Sequence, residues 1–305
     1  MQTAVRQIVK SPSVLMALKN SSPNGLLFSA AIIGGINLLG FSITAATKTH
    51  KLTDLFGTGA FVASAAASAY VNGVHAHPWS RPFILSAAVS IWGIRLAGHL
   101  FERILTSPKD PRLEKFMPKK GEKWLDSSGS NFPLNLAGFW MIQAAWAWVV
   151  SLPVTMANFN PVASTQRLGM GGRVALLTFA GGFAFEAIAD WQKRSFKKNP
   201  ANKGKWIDQG VWSVSRHPNY FGELLIWSSL FFASVPALRG PRQVLIGAVS
   251  PLFISGLILY VSGIPLLEDK MNKDHGQDEK YLKYKETTPL LVPYCKWLRI
   301  PGLPY

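Results

Sequence analysis

The chain has 305 residues, of which 48% are hydrophobic and 16% are charged, with 32 Lys and Arg against 16 Asp and Glu. Soluble domains carry about 25% charged residues, so this composition argues against a water-soluble globular protein and indicates a membrane protein. The single cysteine, Cys295, excludes an intramolecular disulfide and any metal site built from several cysteines.

Seven predominantly apolar stretches, each of about 20 residues, are long enough to cross a bilayer as helices. In chain order they are residues 25–47, 55–74, 82–101, 133–158, 171–190, 220–238 and 243–267. The third, fifth and sixth stretches contain charged residues, which in membrane helices usually face the protein interior and mark function. We therefore expect an all-α polytopic membrane bundle of about seven helices.

Lys and Arg are distributed unevenly between the two ends of the predicted helices. Eight lie in the N-terminal segment and in the loops on its side of the membrane, whereas 23 lie on the opposite side. Regions rich in Lys and Arg stay in the cytosol, so we expect the N-terminus in the lumen and the C-terminus in the cytosol. The excess of basic residues behind the net charge of +16 is therefore mainly a topology signal, and we expect no nucleic-acid partner.

The predicted spans divide the chain into three parts. Residues 1–24 form an N-terminal tail, residues 25–267 a seven-helix membrane domain, and residues 268–305 a cytosolic tail that folds under the bundle as a lid. The cytosolic loops are too short for a separate nucleotide-binding sheet, so a cofactor would bind in the bundle and its loops. The first tail has three bases and no acid, as in a mitochondrial presequence, although an ordinary short tail is the simpler interpretation.

The cytosolic end of the fifth predicted helix carries both acids and bases. With about 100° between successive residues, Glu186, Asp190, Lys193 and Lys197 fall on one face, and Arg194 lies beside it. Carboxylates in such a row can accept hydrogen bonds from ribose or amide groups, while Lys and Arg bind phosphate. A basic cluster that pairs with its own acids and with anionic lipid is the structural alternative.

A second set of polar residues lies at the start of the sixth predicted helix. Pro218 suits the first helical position, so free backbone N–H groups and the charge of Arg216 favour an anion at this end. Asn219 and Glu223 lie four residues apart on one face, about one turn into the membrane, where a buried, hydrogen-bonded role is favoured. His217 is more often a cap or loop residue in such a position than a catalytic base.

Other polar residues are less decisive. Asp54 begins the second predicted helix, where a favourable interaction with the helix dipole is at least as common as a catalytic role. Tyr281 and Tyr284 in the tail are suited to stacking on a ligand ring, and anchoring of the tail in the protein core is the equal alternative. We expect no bound metal ion.

Together these segments resemble the C-terminal signature of the steroid 5-alpha-reductase superfamily. The matching residues read E-A-I-A-D-W-Q-K-R at 186–194, K-G-K at 203–205 and R-H-P-N-Y-F-G-E at 216–223. Within the superfamily the chain is most similar to the branch described as domain of unknown function 1295. The resemblance covers roughly residues 50–300 and is strongest over residues 185–225.

The resemblance implies a bundle that holds NADPH in a cavity open to the cytosol and reduces the carbon–carbon double bond of an enone in a lipid-like substrate. The implied cofactor-binding residues are Glu186, Asp190, Arg194, Lys197, Lys205, Arg216, Asn219 and Glu223. Arg194, Lys197 and Lys205 would bind phosphate, and Glu223 the nicotinamide carboxamide. The Tyr that polarises the substrate carbonyl in the family has Trp92 near its place here, so Asp54, unsupported by a motif, is the candidate for the catalytic role.

Two other functions fit parts of the sequence. Methyltransferases of the isoprenylcysteine carboxyl kind, which use S-adenosylmethionine, also have an Arg-His-Pro motif and an acidic pair, found here at 216–218 and 268–269. The bases that follow Glu186 favour the reductase, because S-adenosylmethionine has no diphosphate to bind. A non-catalytic membrane scaffold is the third interpretation.

The resemblance and the topology also indicate where the protein works and what it contacts. We expect an integral protein of the endoplasmic reticulum, with a mitochondrial membrane as the alternative. Its partners would be a lipid-like small-molecule substrate and membrane lipid, and we expect no obligate protein partner.

Overall fold

The computed structural model describes residues 22–106, 111–119, 122, 124–126, 129–298 and 300–303. Most of the predicted N-terminal tail lies outside these residues. The described chain is helical and forms no strand, apart from one isolated bridge between Ser80 and Arg167. The predicted all-α class is therefore confirmed.

Ten α-helices are formed by the described residues. They are α1 (Ser22–Thr47), α2 (Thr53–Val71), α3 (Arg81–Thr106), α4 (Pro111–Glu114), α5 (Leu134–Asn158), α6 (Met170–Lys198), α7 (Pro218–Ser234), α8 (Gly240–Gly256), α9 (Ile264–His275) and α10 (Glu279–Thr287). A π-helical turn, Leu257–Val261, joins α8 to the break before α9. α6 ends at Lys198, two residues before Pro200, which cannot continue a helix.

Six segments of the described chain are long and apolar enough to cross a membrane, close to the predicted seven. They are Asn24–Thr47, Arg81–Leu105, Leu134–Asn158, Met170–Lys198, Pro218–Ala237 and Gly240–His275. The remaining predicted span, residues 55–74, corresponds to α2. Its many Ala, Ser and Gly residues make α2 less apolar, and their small side chains let it pack closely against α1, α3 and α5.

The chain forms two compact units. The first unit comprises Met1–Gly169 with Ser234–Gly247, and the second comprises Met170–Ala233 with Ala248–Tyr305. In the first unit, the ring of Phe61 packs edge-on against Trp92 and Trp146, with centroids 5.2 and 4.9 Å away. Trp92 is therefore a fully buried core residue.

In the second unit, α6 and α7 approach each other closely at two glycines. A β-carbon on Gly222 would lie 2.6 Å from the backbone oxygen of Gly182, so a larger side chain could not enter without a shift of backbone. The rings of Phe185 and Phe221 close the same contact edge to face, at 5.7 Å. This packing brings the polar end of α6 against the start of α7.

Candidate functional site

The acidic and basic residues predicted on one face of the fifth helix, here called the stripe, lie in the C-terminal half of α6, from Glu186 to Lys197. Glu186 is 4% exposed and lies against α7, since a β-carbon on Gly222 would be 2.8 Å from that of Glu186. Asp190 and Arg194 are half-buried, and Lys197 is exposed. The face therefore runs from a buried carboxylate to exposed cations.

The loop after α6 folds back onto that helix. The indole Nε1 of Trp212 donates a hydrogen bond to the backbone oxygen of Ala189 at 3.0 Å, and the Lys193 ammonium lies 4.5 Å from the Trp212 ring centroid. The backbone nitrogen of Val211 donates to the side-chain oxygen of Gln192 at 2.9 Å. Lys205 is exposed on the same loop. The loop therefore adds a further cation beside the stripe.

A buried ion cluster lies just before α7. The carboxylate of Glu268 accepts from Nη1 of Arg216 and is bonded to Nε2 of His217, both at 2.8 Å, and Nζ of Lys285 lies 3.9 Å away. Arg216, His217 and Glu268 are each at most 5% exposed. A buried carboxylate is stable only when several donors compensate its lost hydration, which this arrangement provides. Arg216, predicted as an anion ligand, thus already has a carboxylate partner.

The surroundings of His217 lower its pKa, which favours the neutral ring. Burial lowers the pKa of His217, with Lys193 and Arg216 adding repulsion, and the bond to Glu268 only partly opposes this effect. The neutral ring donates its Nε2 hydrogen to the carboxylate, which leaves Nδ1 as an acceptor. The ring also stacks on Tyr220, with centroids 5.8 Å apart.

The C-terminal segment is hydrogen-bonded to the residues that directly precede α7. The backbone nitrogen of Arg216 donates to the backbone oxygen of Pro289 at 2.9 Å. The hydroxyl of Ser215 donates to the backbone oxygen of Leu291, and the hydroxyl of Tyr284 donates to the backbone oxygen of Trp212, both at 2.7 Å. These contacts support the anchoring interpretation of the tail.

Tyr281 is also an anchoring residue. It is 2% exposed and packs against the rings of Trp206 and His275 at 5.3 and 5.7 Å. Burial, together with the negative charge of Glu268, raises the pKa of Tyr281 to about 12, so it stays protonated. Of the two roles considered for Tyr281, stacking on a ligand and anchoring of the tail, its contacts with Trp206 and His275 support anchoring.

The start of α7 carries the other two predicted ligands. Oε1 of Glu223 accepts a hydrogen bond from the indole nitrogen of Trp227, one turn later, at 2.9 Å. Oδ1 of Asn219 is buried and has no hydrogen-bond partner among the described residues. Asn219 and Gly222 share a helical face, so this acceptor lies on the side of α7 that packs on α6.

The eight predicted cofactor ligands all lie in the second unit, and Asp54 lies in the first. Asp54 is in the first turn of α2, where its Oδ2 accepts from Nη2 of Arg103 at 2.9 Å in a partly exposed pair. Glu268 was not among the predicted ligands, although an acid directly after the last apolar stretch was a usable signal. Within the described ranges, no three His, Cys, Asp or Glu side chains are grouped to hold a metal ion.

Comparisons with known proteins give one family and one relative. The sequence model of a family described as a protein of unknown function, DUF1295, matches residues 40–288. The probable O-methyltransferase ustE of Ustilaginoidea virens is 41% identical over 64 residues, which are 21% of this chain and 22% of that protein. The chain thus matches about a fifth of the curated relative's length. No solved structure matches.

Proposed function

We propose that this chain, which belongs to the DUF1295 family, is an integral membrane, NADPH-dependent reductase. Its reaction would be hydride transfer to a conjugated carbon–carbon double bond of a lipid-like substrate, such as a steroid, a terpenoid or a fatty enone. The observation that carries the proposal is the face of α6 that runs from buried Glu186 to exposed Lys197. A dinucleotide has the matching order, because its neutral rings and riboses adjoin a phosphate-bearing portion.

The residues present fit this cofactor. Oδ1 of Asn219 is a buried acceptor without a hydrogen-bond partner in the described chain, as expected where a ligand amide donates. Glu186 and Asp190 would accept hydrogen bonds from ribose hydroxyls, and Glu223 would accept one from the carboxamide. When bound, NADPH supplies the hydride.

The cations proposed to bind the phosphates are at least partly exposed. Arg194, Lys197 and Lys205 would bind the phosphates, and the exposed lysines would do so as point charges. Arg216 would contribute less than predicted, since its Nη1 is held by Glu268. Its Nε is buried without a hydrogen-bond partner among the described residues, so one donor is left for a ligand.

On the substrate side, we propose Asp54 as the catalytic residue. Its carboxylate is paired with Nη2 of Arg103 at 2.9 Å, and both side chains are partly exposed.

S-adenosylmethionine-dependent methyl transfer to a lipid is the second candidate function. Two observations favour it: the relative named a probable O-methyltransferase, and the buried contact of Arg216 and His217 with Glu268. A methyl donor without phosphates would give Lys197 and Lys205 no phosphate to bind. A non-catalytic scaffold is the third candidate.

We also propose the endoplasmic reticulum as the location, with the N-terminus in the lumen and the C-terminus in the cytosol. A mitochondrial membrane is the alternative. Lipid-like substrate and membrane lipid are the proposed partners. Glycosylation acceptor sequences added to each terminus in turn would test the orientation, since only a lumenal site is modified in the endoplasmic reticulum.

Cofactor binding tests the proposal directly. The protein, purified into lipid nanodiscs, is titrated by calorimetry with NADPH, NADH and S-adenosylmethionine. We expect NADPH to bind more tightly than NADH and S-adenosylmethionine not to bind. Binding of S-adenosylmethionine alone would replace the reductase with the methyltransferase, and no binding of any of the three would favour the scaffold.

Glu223 offers a test at one residue. Glu223→Ala removes the proposed acceptor for the carboxamide, and a hydrogen bond to a charged group contributes about 1.5–3 kcal/mol, so we expect at least a tenfold loss of NADPH affinity. Trp227→Phe is the matched control, because it removes the indole donor to Glu223 but keeps the carboxylate. Unchanged NADPH affinity in Glu223→Ala would remove Glu223 from the site.

A further inference from the structure

The chain changes character abruptly after Leu291. Leu290 and Leu291 are at most 5% exposed, whereas Tyr294 and Trp297 are 81% and 79% exposed. A turn at Tyr294, with φ of 61°, separates the two parts, and Leu298, which follows, is exposed too. Residues 294–298, here called the aromatic tail, thus point large apolar side chains away from the protein.

One contact places the aromatic tail near the end of a membrane span. The backbone nitrogen of Tyr294 donates to the backbone oxygen of Val214 at 3.3 Å. Val214 precedes the span that starts at Pro218 by four residues, a contour length of at most about 14 Å. The tail therefore begins within about 14 Å of the end of this apolar span, close to where the hydrocarbon core of a bilayer gives way to lipid headgroups.

The same level of the second unit carries another exposed aromatic side chain. Trp191 of α6 is 65% exposed, and it lies two residues after Ala189, which accepts the hydrogen bond from Trp212. Trp and Tyr are enriched at membrane interfaces because their rings are apolar while their N–H and O–H groups stay hydrated. Trp191, Tyr294 and Trp297 fit such a belt.

The charge of the aromatic tail and the residues beside it indicates which kind of lipid they would contact. Between Leu291 and Leu303 the sequence contains two bases, Lys296 and Arg299, and no acid, and Lys296 is exposed. Each base near an anionic leaflet contributes about 1 kcal/mol of attraction. A surface that combines exposed Trp and Tyr with positive charge is complementary to anionic phospholipid headgroups.

We propose that the aromatic tail is an interfacial anchor that inserts into the anionic headgroup region of the leaflet at this end of the spans. Because the adjoining residues bond to Val214, Ser215 and Arg216, the anchor holds the chain in front of α7 against the membrane. This role is independent of which cofactor the protein binds.

Cys295, the only cysteine of the chain, lies within the aromatic tail and provides the test. A nitroxide spin label on Cys295 is examined in nanodiscs of phosphatidylcholine alone and in nanodiscs with added phosphatidylserine. We expect greater collision with oxygen than with a water-soluble nickel complex, and at least a twofold rise of that ratio with phosphatidylserine. As a control, the label is moved to the exposed loop in Cys295→Ser, Lys203→Cys, where nickel should dominate.

The anchoring side chains are tested in the same assay. Replacing both rings, Tyr294→Ser with Trp297→Ser, should return the label on Cys295 to the water-exposed values of the loop control. The matched variant Trp79→Ser, which removes a 72% exposed Trp of the first unit, should leave the label unchanged. A label that is water-accessible in both nanodiscs would overturn the proposal. So would a label shielded from oxygen and nickel alike, because that outcome indicates a protein partner.

Discussion

In the first unit, the amide of Asn158 in α5 donates to Ser68 at 2.7 Å and to Ser86 at 2.9 Å, whereas in the second unit Glu268 is bonded to Arg216 and His217, both at 2.8 Å. All of these side chains are buried. Uncharged groups need only one or two partners to offset lost hydration, but a carboxylate needs several, and its removal leaves a buried cation. The first contact suits helix packing, while the second is the costlier arrangement and supports a functional site.

Removal of the Glu268 charge should have the largest effect. Glu268→Gln leaves the Arg216 guanidinium buried without a counter-ion, and breaking such a pair costs about 3–5 kcal/mol. We expect a large fall in the unfolding temperature in detergent, measured by intrinsic fluorescence, together with loss of NADPH binding.

The control for this variant is its neighbour. Asp269→Asn removes an equal charge, but Asp269 and its partner Lys273 are both mostly exposed, and exposed pairs contribute little. We expect almost no change in unfolding temperature. Equal effects of the two substitutions would mean that the Glu268 cluster has no special role in the second unit.

Contact between α6 and α7 should come next in magnitude. Gly222→Ala places a methyl group 2.6 Å from the backbone oxygen of Gly182 and 2.9 Å from the backbone nitrogen of Glu186, so the helices must separate. Overpacking of this kind costs about 1–3 kcal/mol, and separation would displace Glu186 from α7. We expect lower stability and weaker NADPH binding, measured by thermal unfolding and calorimetry.

A second glycine of α6 provides the comparison. Gly181→Ala meets no atom within 4 Å and replaces glycine by a better helix former. It should leave NADPH binding unchanged and preserve or slightly raise stability. If Gly222→Ala behaves in the same way, close approach of the two helices is not needed for the site.

The sequence predicted the helical membrane bundle because hydropathy and length decide spans almost alone. The apolar stretch of the fifth span ends at residue 190, and the helix continues beyond it to Lys198, as the row of charged residues on one helical face predicted. The added residues include Gln192, Lys193 and Lys197, which are good helix formers but do not register as membrane residues. The bases of the polar site that belong to α6, Lys193, Arg194 and Lys197, lie in this extension.

The site itself could be predicted only in part. The positions of Glu186 and Asn219 follow from helical spacing, and the structure places both on the faces where α6 and α7 pack. The partner of Arg216 could not be inferred, since Glu268 is 52 residues away along the chain and only tertiary packing joins them. Tyr281 was equally ambiguous, because a ring that stacks on a ligand and one that packs on Trp206 have the same sequence signal.

The uncharged contact of the first unit should respond more weakly. Asn158→Ala removes the hydrogen bonds to Ser68 and Ser86, and such bonds between membrane helices contribute about 0.6 kcal/mol each on average. We expect a loss of about 1–2 kcal/mol in the free energy of unfolding, with NADPH affinity unchanged. A change of cofactor affinity comparable to that of Glu268→Gln would contradict the division between packing and functional contacts.

The smallest expected effect is a pH dependence that arises from His217. Burial lowers the pKa of His217 in the folded protein, whereas in the unfolded chain it binds a proton below about pH 6.5. The unfolded state then holds the extra proton, so stability falls as pH drops below about 6.5 and is unaffected by His217 above it. The loss at one pH unit below that value is at most about 1.4 kcal/mol. His217→Gln keeps a side-chain donor for Glu268 but cannot titrate, so its unfolding temperature should fall less between pH 7.5 and 5.5 than that of the parent protein. Parallel pH profiles for the two proteins would show that His217 is already protonated in the folded cluster.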